Sequence, residues 1–216
     1  SKGVTGVITL LSQQQGLLSV FDPLSKFYPN CPKEFSDITI HNMLIHMSGL
    51  SNKYETFGSV KRDENIALIF NILPEENSGF IYSSAGYWLT AAIIETMANV
   101  PFEEYVNKNL FEAANMNNTG FWFEADDRDK NIFAQKLEKF PPNDIEPNWG
   151  FRASSGITTN IIDLHNYFYA LSKGNLLNKN HLQQLFGPHK TLGSGISVGY
   201  GWFTTITSKG TTAIWS

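Results

Sequence analysis

The hydrophobic pattern changes its period late in the chain, and this change restricts the possible folds more than any other feature. As far as residue 186, apolar side chains recur at helical spacing, as in the opening stretch "GVTGVITLL", which Gly16 ends. From residue 199 onwards, "GYGWFTTITSKGTTAIWS" alternates aromatic and β-branched residues around Lys209 and Gly210, which is typical of a β-hairpin. We therefore predict an α/β chain of the α+β type, a single domain over residues 1–216, with a mainly helical lobe over residues 1–190 and strands over residues 191–216.

Capping residues mark the starts of the predicted helices. Thr39 is the expected N-cap of a helix closed by Gly49, and Pro101 stands at a first turn that carries two glutamates. Asn160 is expected to cap a helix that runs through Leu171. Further helices are predicted over residues 63–72, from just after Tyr82 to about Ala98, and over residues 179–186.

Composition excludes several classes of function. The chain has 216 residues, and its 42% hydrophobic and 13% aromatic content is that of a folded domain with a sizeable core. The formal net charge of −4 comes without long runs of like charge, so we expect no nucleic-acid partner and no anionic membrane surface. No apolar run approaches the ~20 residues of a membrane span. The single cysteine, Cys31, excludes an intramolecular disulfide.

The histidines do not form a metal-binding pattern. His41 and His46 are five residues apart, so on a helix they would point roughly 140° away from each other. No carboxylate–histidine spacing of the metalloenzyme kind and no phosphate-binding glycine loop is present. We therefore expect no metal and no organic cofactor.

Two segments invite a catalytic interpretation, Ser1–Lys2 and the run Tyr82–Ser83–Ser84. Taken alone, Lys2 on a helix is typical of a solvated surface charge, and Tyr82 is typical of a half-buried aromatic. Ser83 or Ser84 could equally be a helix cap. Spacing within the chain does not decide between these alternatives.

Six stretches in order resemble the serine β-lactamase and penicillin-binding-protein superfamily, in its class C branch. They are "SKGVTGVITLL", "GLLSVFDPLSKFYP", "ITIHNMLIHMSGL", "FIYSSAGYWLTAAIIE", "PFEEYVNKNLFEAANMNNTGF" and "ASSGITTNIIDLHNYFYAL". The resemblance implies a β-lactamase/transpeptidase-like fold, with a helical lobe and part of an antiparallel sheet lobe. It also implies that the first and last strands of the family fold lie outside this sequence, which reads as a segment of a longer protein.

The resemblance assigns roles residue by residue. Lys2 matches the lysine of the family's Ser–x–x–Lys motif, which places the nucleophilic serine two residues before Ser1. Tyr82 matches the tyrosine of Tyr–x–Asn, whose family role is to activate the serine and to protonate the leaving group. Ser84 stands where the family has Asn. The stretch "HKTLG" at residues 189–193 looks like the third motif, but we expect it to lie outside a strand and do not give it that role.

A lysine and a tyrosine can activate a serine because each changes the proton affinity of the other. A serine hydroxyl is a poor nucleophile until a base removes its proton. Ordinary Lys and Tyr side chains titrate near ~10.4 and ~10, so at pH 7 at most about one in a thousand is in the basic form. An adjacent ammonium favours the phenolate and burial favours the neutral amine, so the basic member of the pair stays open at this point.

The resemblance predicts a serine hydrolase that forms an acyl-enzyme on a small-molecule or peptide substrate, namely a D-alanyl peptide, a β-lactam or a small ester. The catalytic residues are then Lys2 and Tyr82, with Ser84 at the substrate and Trp149 and Phe151 as candidate walls of its cleft. The alternative is a catalytically inactive binding or regulatory relative, for which Ser84 is the sign of decay. The family also implies a periplasmic or extracellular location, and the oligomeric state stays open.

Overall fold

A computed structural model describes residues 1–51, 61–76, 79–121 and 149–215. Its helices are α1 (Lys2–Gln14), α2 (Leu24–Phe27), α3 (Ile40–Leu44), α4 (Arg62–Phe70), α5 (Ala85–Ala98), α6 (Phe102–Val106), α7 (Phe151–Ser154), α8 (Ile161–Ser172) and α9 (Lys179–Phe186), with a 3-10 turn at Lys33–Phe35 and a π-helical segment at Asn107–Phe111. Most of the loop-rich stretch that the sequence indicated at residues 120–150 lies outside the described residues. No helix in the described ranges combines the length and apolar character that crossing a membrane requires.

Helix α5 forms the centre of the helical lobe. Its residues from Ala85 to Ile94 are all buried, and it packs against α1, α3, α4, α6 and α7. Gly86 permits its close approach to α3, since a Cβ at this position would lie 2.9 Å from the Cβ of Met43. A helix that is apolar on all sides belongs in the interior, and here it brings the segment before it, which contains Tyr82, up to the first turn of α1.

Two of the predicted caps are present, while one predicted helix end is wrong. Thr39 Oγ1 accepts from the backbone N–H of Asn42 at 3.1 Å, and Asn42 Oδ1 accepts from the backbone N–H of Thr39 at 3.0 Å, which is a reciprocal capping box. Asn160 Oδ1 likewise accepts from the N–H of Asp163 at 2.8 Å. Helix α3 ends earlier than predicted, because His46, at φ 59°, already leaves the helical conformation before Gly49 is reached.

The sheet lobe begins earlier than the alternation of residue types indicated. Its four antiparallel strands lie in the order β3 (Lys190–Gly193), β4 (Ile196–Val198), β5 (Phe203–Ile206) and β6 (Thr212–Trp215). The predicted hairpin is formed by β5 and β6, with Phe203 opposite Trp215. The expectation that "HKTLG" lies outside a strand was wrong, because β3 contains most of it.

A second, short ladder lies within the helical part, where we had predicted no sheet. Strands β1 (Gly120–Phe121) and β2 (Ile157–Thr158) pair antiparallel. Two-residue strands carry too little alternation to be recognised in a sequence, and their pairing depends on residues 36 and 38 positions apart. The ladder fixes the chain directly after α7.

The loop between β4 and β5 joins the sheet lobe to helix α1. A Cβ on Gly6 would lie 2.1 Å from the carbonyl oxygen of Tyr200, and a Cβ on Gly3 would lie 2.4 Å from the Trp202 ring. Gly201, at φ 78°, adopts the left-handed conformation that brings its Cα against the carbonyl of Lys2. The absence of side chains at these glycines therefore lets the sheet lobe form one wall of a cleft at the start of α1.

Candidate active site

A cleft of about 180 Å³ opens where the first turn of α1, the segment before α5, the end of α7 and the β4–β5 loop meet. Its walls are formed by Ser1, Lys2, His46, Tyr82, Ser154, Val198, Gly199, Gly201, Trp202 and Phe203. These residues come from five separate parts of the sequence. The cleft brings together Lys2 and Tyr82, which are eighty residues apart in the chain.

Lys2 is the one charged side chain among the lining residues that the structure describes. Its Nζ donates to Ser84 Oγ at 3.3 Å and to the carbonyl oxygen of Ser154 at 3.2 Å. Burial lowers the pKa of Lys2 from its ordinary 10.5 to about 8, and no carboxylate is found among the described residues of the cleft wall. At pH 7 about a tenth of such amines are unprotonated, which is far more than for an exposed lysine.

The aromatic ring of Tyr82 faces the Lys2 amine, and other residues cover the Tyr82 side chain only in part. The distance from Lys2 Nζ to the centroid of the ring is 4.9 Å, and 48% of the Tyr82 side chain is exposed. Partial burial raises the pKa of Tyr82 above its ordinary 10. Burial is therefore the main cause of both pKa shifts. It brings the pKa of Lys2 closer to neutral pH and moves the pKa of Tyr82 away from it.

The two serines after Tyr82 have different roles, since one bonds to the backbone at the start of α5 and the other bonds to Lys2. Ser83 is buried, its Oγ accepts from the N–H of Ala85 at 3.2 Å, and it donates to the carbonyl oxygen of Ser51 at 2.8 Å. Ser84 occupies the N-cap position of α5 but makes no side-chain capping bond. Its hydroxyl instead accepts from Lys2. Ser83 is therefore the serine that binds the backbone at the start of α5, and Ser84 is the serine that faces the lysine.

Trp149 and Phe151 are placed inside the protein beside the cleft and do not line it. Trp149 is 5% exposed, with its Nε1 donating to Glu95 Oε2 at 3.4 Å, and Phe151 is 4% exposed. The residue of this segment that reaches the cleft is Ser154, at the end of α7. Its carbonyl accepts from Lys2, and its Oγ accepts from Trp88 Nε1 at 2.9 Å.

His46 is a cleft residue to which the sequence analysis gave no role at the site. It is 3% exposed, its ring stacks on Tyr82 at a centroid distance of 4.3 Å, and its Nδ1 accepts from the backbone N–H of Ser83 at 3.1 Å. Burial and the nearby Lys2 ammonium lower the pKa of His46 from 6.5 to about 3, so it is neutral at ordinary pH. Its place in "HMSG", inside the helix that the sequence predicted to end at Gly49, gave no signal of this contact.

The described residues hold no group of three or more histidine, cysteine, aspartate or glutamate side chains that could bind a metal ion. His41 bonds through Nδ1 to the Tyr200 hydroxyl at 2.7 Å, while His46 lies at the cleft.

Comparison with known proteins identifies the family. The sequence profile described as Beta-lactamase matches residues 1–215, nearly the whole chain. The chain belongs to the beta-lactamase family. This result confirms the resemblance that the six ordered stretches indicated.

Sequence relatives of this beta-lactamase family chain are named penicillin-binding proteins, and solved structures of similar fold include amidases. The penicillin-binding protein PbpX of Bacillus subtilis (strain 168) is 25% identical over 209 residues, which are 94% of this chain and 51% of that protein. A D-stereospecific amidohydrolase from Streptomyces sp. is similar in structure with a TM-score of 0.77 at 17% identity, covering 100% of this chain and 72% of that one. The D-amino acid amidase of Ochrobactrum anthropi SV3, complexed with D-phenylalanine, gives 0.75 at 19% identity, covering 100% and 67%.

These structural similarities confirm the β-lactamase/transpeptidase-like fold with helical and antiparallel sheet parts. The chain spans about half the length of the curated relatives that it matches.

Proposed function

We propose that the protein containing this chain is a serine hydrolase that acts through an acyl-enzyme on an amide or an ester. The observation that carries the proposal is the position of the Lys2 amine, which is partly buried, has a pKa near 8, lies in one cleft with Tyr82 and is hydrogen-bonded to Ser84. A surface lysine would keep its ordinary proton affinity and would have no such neighbours.

The proposed reaction begins with the serine that the family motif places two residues before Ser1. Its Oγ bonds to the substrate carbonyl carbon, and its proton passes to the neutral amine of Lys2, directly or through the Tyr82 hydroxyl. Backbone N–H donors stabilise the oxyanion of the tetrahedral intermediate. The bond to the leaving amine or alcohol then breaks, and the leaving group takes a proton from the Tyr82–Lys2 pair.

Deacylation uses the same two residues in reverse order. Water gives a proton to the pair as its oxygen attacks the ester carbonyl, and the serine recovers a proton when the acid is released. Because the Tyr82 pKa is raised, the phenol stays protonated at neutral pH and suits the role of proton donor, while Lys2 suits that of acceptor.

For the substrate we propose a D-configured amide or a small ester. D-Amino acid amidases have the same fold, and the curated relatives are named penicillin-binding proteins. Ser84 keeps a hydrogen bond to Lys2 but has no amide group, so it offers a substrate amide fewer partners than the family's Asn would. We accordingly expect weaker turnover of β-lactams than of simple esters. A periplasmic or extracellular location is part of the proposal.

The second candidate, a non-catalytic binding relative, is favoured by Ser84 alone. The residue two positions before Ser1 distinguishes the two, because any residue other than serine leaves Lys2 and Tyr82 without a nucleophile to activate.

The test uses the full-length protein with a fluorophosphonate and a fluorescent penicillin in parallel, together with hydrolysis of D- and L-phenylalanine amide. We expect covalent fluorophosphonate labelling that is lost in Lys2→Met, which keeps the length of the side chain without its amine. We expect Ser84→Asn to label more strongly with the penicillin. A folded wild-type protein that reacts with neither probe and hydrolyses neither amide would overturn the enzyme proposal in favour of the binding one.

A further inference from the structure

His46 holds the backbone on both sides of Tyr82. Its carbonyl oxygen accepts from the N–H of Ile81 at 2.9 Å, and its Nδ1 accepts from the N–H of Ser83 at 3.1 Å. One residue therefore satisfies the amides that come directly before and after the tyrosine. These bonds fix where the Tyr82 Cα lies but leave its side chain free to rotate.

The imidazole ring of His46 restricts that rotation. It stacks on the Tyr82 ring at 4.3 Å with 30° between the planes, and its other neighbours are Phe80 at 5.6 Å and Tyr87 at 5.3 Å. Tyr87 is itself fixed, since it is fully buried and its hydroxyl donates to the carbonyl of Leu44 at 2.7 Å. The His46 ring thus packs against the immobile ring of Tyr87 on one side and against the half-exposed ring of Tyr82 on another.

The backbone at His46 shows what this placement requires. Its φ of 59° is in the left-handed region, which residues other than glycine adopt uncommonly. This conformation turns the side chain back from the end of α3 towards the segment before α5. Because Nδ1 accepts a backbone N–H, the neutral ring carries its proton on Nε2, and burial beside Lys2 keeps it neutral.

We propose that His46 is a positioning residue that holds the Tyr82 ring over the Lys2 amine for proton transfer. The inference rests on the proposed serine-hydrolase function and assigns His46 a role that acts through Tyr82 rather than on the substrate. The role requires a neutral imidazole, since a cationic one would repel the nearby Lys2 ammonium.

The variants His46→Asn and His46→Phe separate the ring from the hydrogen bond. Asparagine tolerates the left-handed conformation and offers an oxygen in place of Nδ1, but it has no ring to stack on Tyr82. Phenylalanine keeps the ring and loses the acceptor for the Ser83 amide. His165→Asn, on the exposed face of α8, is the matched control for a histidine-to-asparagine change elsewhere.

The experiment measures kcat and KM of the full-length protein on an activated ester, at a temperature where circular dichroism shows each variant folded. We expect His46→Asn to lower kcat by about 10- to 100-fold with KM nearly unchanged, as misplacing a catalytic group does. His46→Phe should retain most of kcat while its unfolding midpoint falls, and His165→Asn should match the wild type.

A double-mutant cycle gives the decisive result. In a Tyr82→Phe background the further change His46→Asn should cost less than about twofold, because a residue that acts through Tyr82 has nothing left to position. Equal losses in both backgrounds, or no loss in the wild-type background, would overturn the inference. If His46→Asn fails to fold, the inference stands or falls on whether His46→Phe retains kcat. The proposed function fails separately, if the wild type has no turnover or Tyr82→Phe leaves it unchanged.

Discussion

Two tyrosines flank the Lys2 amine at similar distances, and the structure gives them opposite properties. The Nζ atom lies 4.9 Å from the ring centroid of Tyr82 and 5.5 Å from that of Tyr87. Tyr82 precedes α5, is half exposed, and makes no hydroxyl hydrogen bond within the described part of the chain. Tyr87, one turn into α5, is fully buried and donates to the Leu44 carbonyl.

The difference teaches that proximity to the lysine does not by itself make a tyrosine catalytic. Burial raises the pKa of Tyr87 much further than that of Tyr82, and its proton is already committed to a backbone acceptor. A hydroxyl that takes part in proton transfer needs access to the substrate and an uncommitted proton. Of the two, Tyr82 has both.

The largest expected effect is that of Tyr82→Phe. Removing the hydroxyl should lower the rate of acylation by an activated ester by about 10² to 10⁴, as loss of a general acid–base group does. The free energy of unfolding should change little, because the ring and its stacking on His46 are kept. Rapid-mixing acylation kinetics and thermal melts measure the two quantities. Wild-type acylation in this variant would contradict the role given to Tyr82.

A smaller effect is expected from pH, through Lys2. Its pKa near 8 means that the fraction of neutral amine falls about tenfold for each pH unit below that value, so kcat/KM should rise with pH and level off above about 8. The pKa of this amine is 10.5 in the unfolded chain and about 8 in the folded chain, so at a pH between these values only the unfolded chain keeps the proton. Between these values the free energy of unfolding should therefore rise with pH.

A pH–rate profile of the full-length protein, with Lys2→Met as the comparison, checks this prediction. A rising limb with its midpoint near 10.5 would show that Lys2 is not desolvated in the working enzyme. A limb that persists unchanged in Lys2→Met would assign the titration to another group.

The smallest effect on turnover is expected for Tyr87→Phe, which should instead change stability. The carbonyl of Leu44 loses its donor inside the core, at a cost of about 1–3 kcal/mol to the free energy of unfolding. Chemical denaturation of this variant beside Tyr82→Phe tests the comparison directly. If Tyr87→Phe instead lowered turnover strongly and left the free energy of unfolding unchanged, the roles given to the two tyrosines would be reversed.

Much of the fold followed from local pattern. The capping box at Thr39, the cap at Asn160 and the β5–β6 hairpin all depend on residues within a few positions of each other, and each is present. The failures were non-local. The β1–β2 ladder pairs residues 36 and 38 positions apart, and α3 ended early because His46 takes a left-handed conformation, in which its ring stacks on Tyr82.

The candidate site shows the same division. Lys2, Tyr82 and Ser84 could be chosen from the sequence because family motifs mark them, and the structure places all three at one point. Trp149 and Phe151 were chosen because the resemblance places their region at the cleft, but a resemblance of regions does not say which way a side chain faces. Cleft residues that the sequence did not select include Ser154, whose backbone carbonyl accepts from Lys2, and His46.

By itself, the sequence determined the order of the elements, the family and the identity of the two residues that exchange protons in the proposed reaction. These depend on side-chain types at fixed local spacing, which a sequence records directly. Only the tertiary structure decided which serine faces the lysine, how far the pKa of Lys2 falls, and which of two adjacent tyrosines is free to react. Those properties depend on burial and on contacts between segments up to 150 residues apart, and packing alone creates them.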